Sequence, residues 1–329
     1  MVKMIYQLSF EHNGHGGLRD HIVHVVEKTQ PSIVRFEAHI PEERHSTKVL
    51  GTLRQGTGVV INSQGYLLTA GYLIMEASDV RVEFTDGETF DAEVVGIDFE
   101  SGLGLLRLSE PASVQPIILG NASSVTKGQL TLTIGDNTEA RARIVTNGRI
   151  FDTGKFIGYW EYLLERALYV VPQNPAFGGS PLFNLEGEVI GIVSLQLNQH
   201  QGMNLAIPIE MLYEVEGELI RYGRVMSRQP RTWIGMYHAP YHQGVIVVDV
   251  MPDAPADRAG IKKGDLITHI DGGRVKTEEQ FLRRLWNVPI RQVFEIRLIR
   301  DNLQKRISVE GMNFYDFYEL GGSADLQGH

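Results

Sequence analysis

The chain contains no cysteine, which excludes disulfides, thiolate metal sites and a thiol nucleophile. The absence leaves the redox compartment open, since a cysteine-free protein suits either. Positive charge is in deficit too: 31 Lys and Arg stand against 40 Asp and Glu, a net charge of −9 with histidine neutral, and no basic block interrupts the sequence. Nucleic acid and anionic membrane surfaces both reward clustered cations, so neither is expected as a main partner. No apolar run approaches the roughly 18 residues of a membrane span. The start, MVKMIYQLSFEHNGHGG, lacks the apolar core of a secretion signal, and none is expected within it.

What is present is a chain of 329 residues with 43% apolar side chains and 35 glycines. That length predicts two domains, and the glycine content fits turn-rich β structure. Residues 1–17 are polar and lack a period, and read as an arm. Within them Tyr6, Leu8 and Phe10 alternate, as in a short strand that docks on a neighbour. Leu18, Ile22, Val25 and Val26 then share one helical face, closed by Pro31. A succession of short strand-like runs follows, among them SIVRFEAHI, GTGVVINS, YLLTAGYLI, GLLRL, QLTLTIG and EVIGIVSLQL, separated by turns such as Thr85-Asp86-Gly87. Such spacing predicts a barrel or sandwich. A helix is expected after Pro208, and Ser227-Arg228-Gln229-Pro230 reads as a linker.

Beyond Trp233, GVIVVDV and FEIRLIR read as strands, and Thr277-Glu278-Glu279-Gln280 is a capping box opening a helix with Phe281, Leu282 and Leu285 on one face. The aromatic run Phe314-Tyr315-Asp316-Phe317-Tyr318 is either a docking element or, as favoured here, packed on its own domain. The terminal GGSADLQGH has too little apolar surface to fold.

Several motifs occur in one order. Gly56-Thr57-Gly58-Val59-Val60-Ile61 leads to Gly65-Tyr66-Leu67-Leu68-Thr69-Ala70-Gly71-Tyr72-Leu73-Ile74. Asn174-Pro175-Ala176-Phe177-Gly178-Gly179-Ser180-Pro181-Leu182 precedes Asn184-Leu185-Glu186-Gly187-Glu188-Val189-Ile190-Gly191-Ile192. Then come Leu205-Ala206-Ile207-Pro208, Trp233-Ile234-Gly235-Met236, and the stretch from Pro255 through Ala259-Gly260-Ile261 to Gly264-Asp265-Leu266-Ile267. This set resembles the HtrA/DegP family over roughly residues 18 to 309. The resemblance implies a mainly β chain, a chymotrypsin/trypsin-like double β-barrel over 18–222, a linker over 223–230, one α+β PDZ domain over 231–315 and a flexible tail over 316–329.

A serine protease of that family needs an attacking serine, an imidazole base and an orienting carboxylate. Carried over residue by residue, the histidine position falls on Tyr72, the aspartate position on Gly102 and the serine position on Gly178. The oxyanion loop falls on Ala176, Phe177 and Gly178, with a Cβ and a large ring where the family carries small residues. Ser180 is a displaced candidate nucleophile, and His200 a loop histidine with reach toward the old cleft; a phenol is a poor base near neutral pH. No metal or other cofactor is expected, because the histidine pairs of the chain lack a completing ligand set.

The resemblance also implies that the PDZ unit binds peptides by strand addition, with the backbone near Gly235 meeting a terminal carboxylate. Ile234, Gly235 and Met236 form that edge, and Phe281 and Leu285 serve as pocket wall or as core. The expected function is therefore an inactive, pseudoprotease-type scaffold for unfolded or C-terminal peptide segments. The alternatives are a serine endopeptidase using Ser180 and a regulatory subunit of an active HtrA-like paralogue. Trimer formation and an extracytoplasmic, periplasmic setting are family implications.

Overall fold

The computed structural model describes residues 3–8, 16–110, 113–197, 202–242 and 244–320. They form two units: one holds Met1–Gly154 and Arg166–Val225, the other Lys155–Glu165 and Met226–Leu320.

In the first unit, β1 (Lys3–Gln7) and helix α1 (Gly16–Thr29) precede β2 (Ile33–His39), α2 (Thr47–Leu50), β3 (Leu53–Val60), β4 (Tyr66–Ala70), α3 (Gly71–Ile74), β5 (Asp79–Glu83), β6 (Thr89–Asp98) and β7 (Leu103–Leu108). Strands β2-β3-β4-β7-β6-β5 close into a barrel. Its interior is set by alternation: in β2 Val34, Phe36 and Ala38 are buried while Arg35 and Glu37 are not. A second set follows: β8 (Leu130–Asn137), β9 (Ala142–Gly158), β10 (Tyr162–Val171), β11 (Pro181–Phe183), β12 (Val189–Leu197) and β13 (Met203–Pro208). The order β9-β10-β13-β12-β11-β8 is closed by pairing of β8 with β9, which makes a second six-stranded ring. The expected double barrel is present.

Two readings need correction in detail. Part of the segment read as an arm is regular structure: β1 runs parallel to β9 of its own chain, with Lys3 opposite Ala142 and Gln7 opposite Thr146. It takes the side of that stretch opposite β8, where the backbone groups of β9 need partners. Leu8 lies beyond that strand, and Phe10 lies outside the described residues. The helix expected after Pro208 is two short ones, α4 (Glu210–Tyr213) and α5 (Glu216–Tyr222), broken at Val215, and α5 ends on a left-handed Gly223.

A buried ion pair ties the first unit together. Arg143 on β9 is 1% exposed, donates to Asp136 on β8 at 2.8 Å, and also donates to the carbonyls of Gln30 and Ile33 and to the Thr85 hydroxyl.

In the second unit, β14 (Thr232–Trp233) pairs with β21 (Met312–Asn313). The main sheet runs β15 (Met236–Tyr241), β16 (Gly244–Val250), β17 (Leu266–Ile270), β19 (Val293–Arg300) and β20 (Leu303–Glu310), with β18 (Gly273–Arg274) on β17. Helices α6 (Pro255–Arg258), α7 (Glu278–Trp286) and α8 (Phe314–Phe317) complete it. The capping box works as read: the Thr277 hydroxyl accepts from the Gln280 N–H, and Phe281, Leu282 and Leu285 of α7 are fully buried. The aromatic run packs on its own unit, with the Phe314, Phe317 and Tyr318 rings 5.3, 4.8 and 5.9 Å from that of Trp233. Ordered structure therefore continues past residue 315, the expected end of this domain.

Candidate functional site

Two sites follow from the motifs. In the first unit, α3 carries Tyr72 at the end of β4, and the loop before β11 carries Ala176, Phe177, Gly178 and Ser180. Arg54, itself buried, donates to the carbonyls of Tyr72 and Met75 at 2.9 Å each and holds α3 in place. The Gly178 carbonyl accepts from the Thr57 N–H at 2.9 Å, which anchors the loop on β3.

The three positions that the resemblance assigned to the triad, Tyr72, Gly102 and Gly178, lie close together. A Cβ placed on Gly178 would be 3.2 Å from the Tyr72 hydroxyl, so the phenol borders the space a serine side chain would enter. Burial pushes that phenol far above its ordinary value of 10, so it stays protonated. Gly71, next to Tyr72, donates its N–H to the Gly102 carbonyl at 2.8 Å. Gly102 has a φ of +82°, a conformation that favours glycine.

The loop is pinned from inside. Asn174 is buried, its side-chain amide donating to the Thr133 and Ile144 carbonyls and its oxygen accepting the Ala176 N–H at 2.8 Å. That N–H is thereby engaged within the chain. The Ala176 carbonyl points the other way, toward Gly135, where a Cβ would come within 1.9 Å of it. Ser180 is fully buried; its hydroxyl donates to the Ala176 carbonyl and lies 3.3 Å from the Thr57 hydroxyl. Its hydrogen-bond partners are thus a carbonyl and a hydroxyl, neither of them a base. His200 lies outside the described residues. Among the described residues no group of three or more His, Asp or Glu is placed to hold a metal ion.

In the second unit, Trp233-Ile234-Gly235-Met236 turns into β15. Gly235 has a φ of +78°, and a Cβ there would be 2.3 Å from that of Ala254, so glycine alone fits. Ile234, Met236, Phe281 and Leu285 are each buried and share one apolar cluster. The sequence left Phe281 and Leu285 open between groove wall and core, and in this structure their surroundings are those of a core.

One polar residue in that cluster's surroundings escaped the sequence reading. Glu161, at the tip of the β9–β10 hairpin, accepts the Met236 N–H at 2.7 Å on Oε1 and the Ile234 N–H at 3.1 Å on Oε2. Burial pushes its carboxyl up to about 8, against the pull of the Met236, Ile234 and Gly235 N–H groups that favour its charge. The available signal was a lone acid among aromatic residues in Gly158-Tyr159-Trp160-Glu161-Tyr162.

Comparison with known proteins bears on both units. Residues 56–192 match the trypsin-like peptidase domain family, and residues 225–310 match the PDZ domain family. Over both units the chain is similar to DegP- and HtrA-type proteins. A probable periplasmic DegP-like serine endoprotease of Halomonas elongata is 29% identical over 82% of this chain and 59% of its own length. The periplasmic serine endoprotease DegP of Salmonella typhimurium is 27% identical over 78% of this chain and 56% of its own. The chain thus spans somewhat over half the length of these DegP relatives. Among solved structures, a serine endoprotease from Yersinia pestis covers 89% of the chain with a TM-score of 0.54 at 24% identity. The HtrA-type protease AlgW with a decapeptide gives the same coverage and TM-score at 22% identity. Such structural likeness carries the fold.

Proposed function

We propose that this chain is an HtrA-type pseudoprotease that works by binding peptides through its PDZ unit. The observation that carries the reading is the Tyr72–Gly178 pair: a protonated phenol stands beside a backbone with no nucleophile. Nucleophilic catalysis requires an activated hydroxyl with a base in hydrogen-bond reach and donors aimed at the developing oxyanion. Here the Ala176 N–H is engaged by Asn174, and the buried Ser180 hydroxyl faces a carbonyl. The PDZ unit, in contrast, keeps the turn of backbone N–H groups at residues 234–236 that suits a carboxylate. The DegP relatives are described as periplasmic, and an extracytoplasmic setting is part of the same proposal.

The test combines a serine-directed fluorophosphonate with peptide binding. The chain takes no label, Gly178→Ser alone takes none, and a peptide with a free apolar C-terminus binds while its amidated form does not. Labelling together with turnover of an unfolded protein, both abolished by Ser180→Ala, would establish the displaced-nucleophile endopeptidase instead.

A further inference from the structure

The tip of the β9–β10 hairpin, Lys155–Glu165, packs within the second unit rather than the first. It is a stiff turn. Trp160 stacks on Tyr162 with ring centres 5.5 Å apart and meets Tyr159 edge-on at 4.9 Å, while Phe156 lies 6.2 Å from both Trp160 and Tyr162. Glu161 has a φ of +62°, a conformation that costs a non-glycine residue roughly 1 kcal/mol or more. Such a cost persists only where surrounding contacts hold it, and those contacts are specific.

Both Glu161 oxygens take N–H groups of the Ile234–Met236 turn, and the Tyr159 carbonyl accepts the His238 N–H at 2.8 Å. As the hairpin runs from 159 to 161, its partners run from 238 back to 236 and 234. These bonds follow an antiparallel order along the start of β15 and end with a carboxylate in the backbone turn. That is the polarity with which an extended peptide adds its C-terminus to a sheet edge. Leu163 of the same hairpin is 2% exposed among Ile234, Met236, Phe281 and Leu285, and Ile157 packs alongside. Across α7, Lys155 pairs with Glu279 at 2.6 Å and Glu165 pairs with Arg283.

We propose that this hairpin is the resident ligand of the PDZ groove, with the Glu161 side chain standing in for a peptide's terminal carboxylate, so that an incoming C-terminal peptide binds only by displacing it. The inference rests on the peptide-binding reading above and adds its regulation. It also states a ligand chemistry: an extended segment with aromatic residues before the end, an aliphatic side chain where Leu163 now sits, and a free carboxylate.

The test uses the full chain, its Glu161→Ala and Glu161→Gln variants, and a fluorescein-labelled decapeptide ending in Gly-Tyr-Trp-Leu with a free carboxylate. Amide spectra come first: docking predicts that the Ile234 and Met236 N–H signals move in both variants, and unmoved signals overturn the proposal. In titration, Glu161→Ala binds the decapeptide at least tenfold more tightly than the parent chain, and amidation of the decapeptide abolishes the binding. Glu161→Gln keeps the side chain's shape and gives an intermediate gain, which guards against a folding defect in the alanine variant. Equal affinity in parent and variants overturns the displacement proposal and leaves peptide binding intact. Binding to none of the three overturns both the peptide-binding reading and displacement, even with the amide signals moved.

Discussion

At the scale of single residues, burial holds a proton on one group in each site. Tyr72 is a titratable group kept neutral beside Gly178. Glu161 is a carboxyl placed against N–H donors without a basic partner among the described residues, and burial raises it from an ordinary 4.5 to about 8. The sign follows from linkage. Between those two values the docked carboxyl holds more proton than the released one, so docking is fully favoured below 4.5 and loses that support as pH rises through about 8. Tyr237 on β15 couples to the Glu161 carboxyl, and also to Asp249 on β16 and Tyr159 of the same turn, while His238 on β15 pairs with Glu278 on α7 at 3.0 Å. Tyr237 is itself pushed up to about 12, by burial first and then by Tyr159, Asp249 and Glu161, so it stays neutral across the window. The Ile234 and Met236 amide signals are therefore expected to drift toward their Glu161→Ala positions between pH 7 and 9. A flat profile there would refute it, and a drift persisting in Glu161→Gln would assign the effect to a group other than Glu161. Tyr72, Gly102 and Gly178 could be singled out in sequence because motifs of fixed order mark them. Glu161 could not, because its partners are main-chain N–H groups, which leave no residue signature.

At the scale of elements, alternation and caps carried most of the information. The β2 pattern, the Thr277 box and the α1 face Ile22, Val25 and Val26 all appear where the residues place them. Where the sequence reading fell short, long-range pairing decided. The strand Lys3–Gln7 exists because β9 offers it a ladder, and β9 runs on to Gly158 before the chain returns from Tyr162 as β10. The buried pair of Arg143 with Asp136 is likewise invisible locally, its partners lying at residues 30, 33 and 85 as well as on β8. Asp136→Ala leaves that guanidinium in the core with only neutral acceptors. Breaking such a pair costs about 3–5 kcal/mol, which in a domain of this size lowers the melting temperature by roughly 10 °C. Thermal denaturation followed by circular dichroism reads it directly, and a melt within 2 °C of the parent would show that the carbonyls suffice. Asp136→Leu with Arg143→Met is expected to recover most of the loss, since an apolar pair of similar volume avoids the buried charge.

At the scale of the whole molecule, the chain divides between Val225 and Met226, just before the Ser227-Arg228-Gln229-Pro230 stretch that the composition marked as a linker. The second unit, however, is assembled from two separated stretches of chain, Lys155–Glu165 and Met226–Leu320. A domain reading that cuts the sequence once cannot find this, because the PDZ pattern is complete in residues 225–310 without the hairpin. The assembly has a thermodynamic consequence. Leu163 contributes a buried leucine to the apolar cluster of that unit, worth about 1.5–3 kcal/mol, and Glu161 satisfies the N–H groups of Ile234 and Met236. A fragment of residues 226–320 lacks both and is expected to melt below the corresponding unit of the full chain. A synthetic peptide of residues 154–166 supplied in trans should then bind the fragment and raise its melting temperature in proportion to the logarithm of peptide concentration, as ligand linkage requires. The same peptide with Glu161→Ala should lose most of that effect, and Leu163→Ala a comparable part. If the parent peptide leaves the melt unchanged at concentrations where it stays soluble, the hairpin is held only by its covalent position in the chain. A melt that rises equally with the parent peptide and with Glu161→Ala would instead assign the docking to its aromatic ladder and remove the carboxylate from the account.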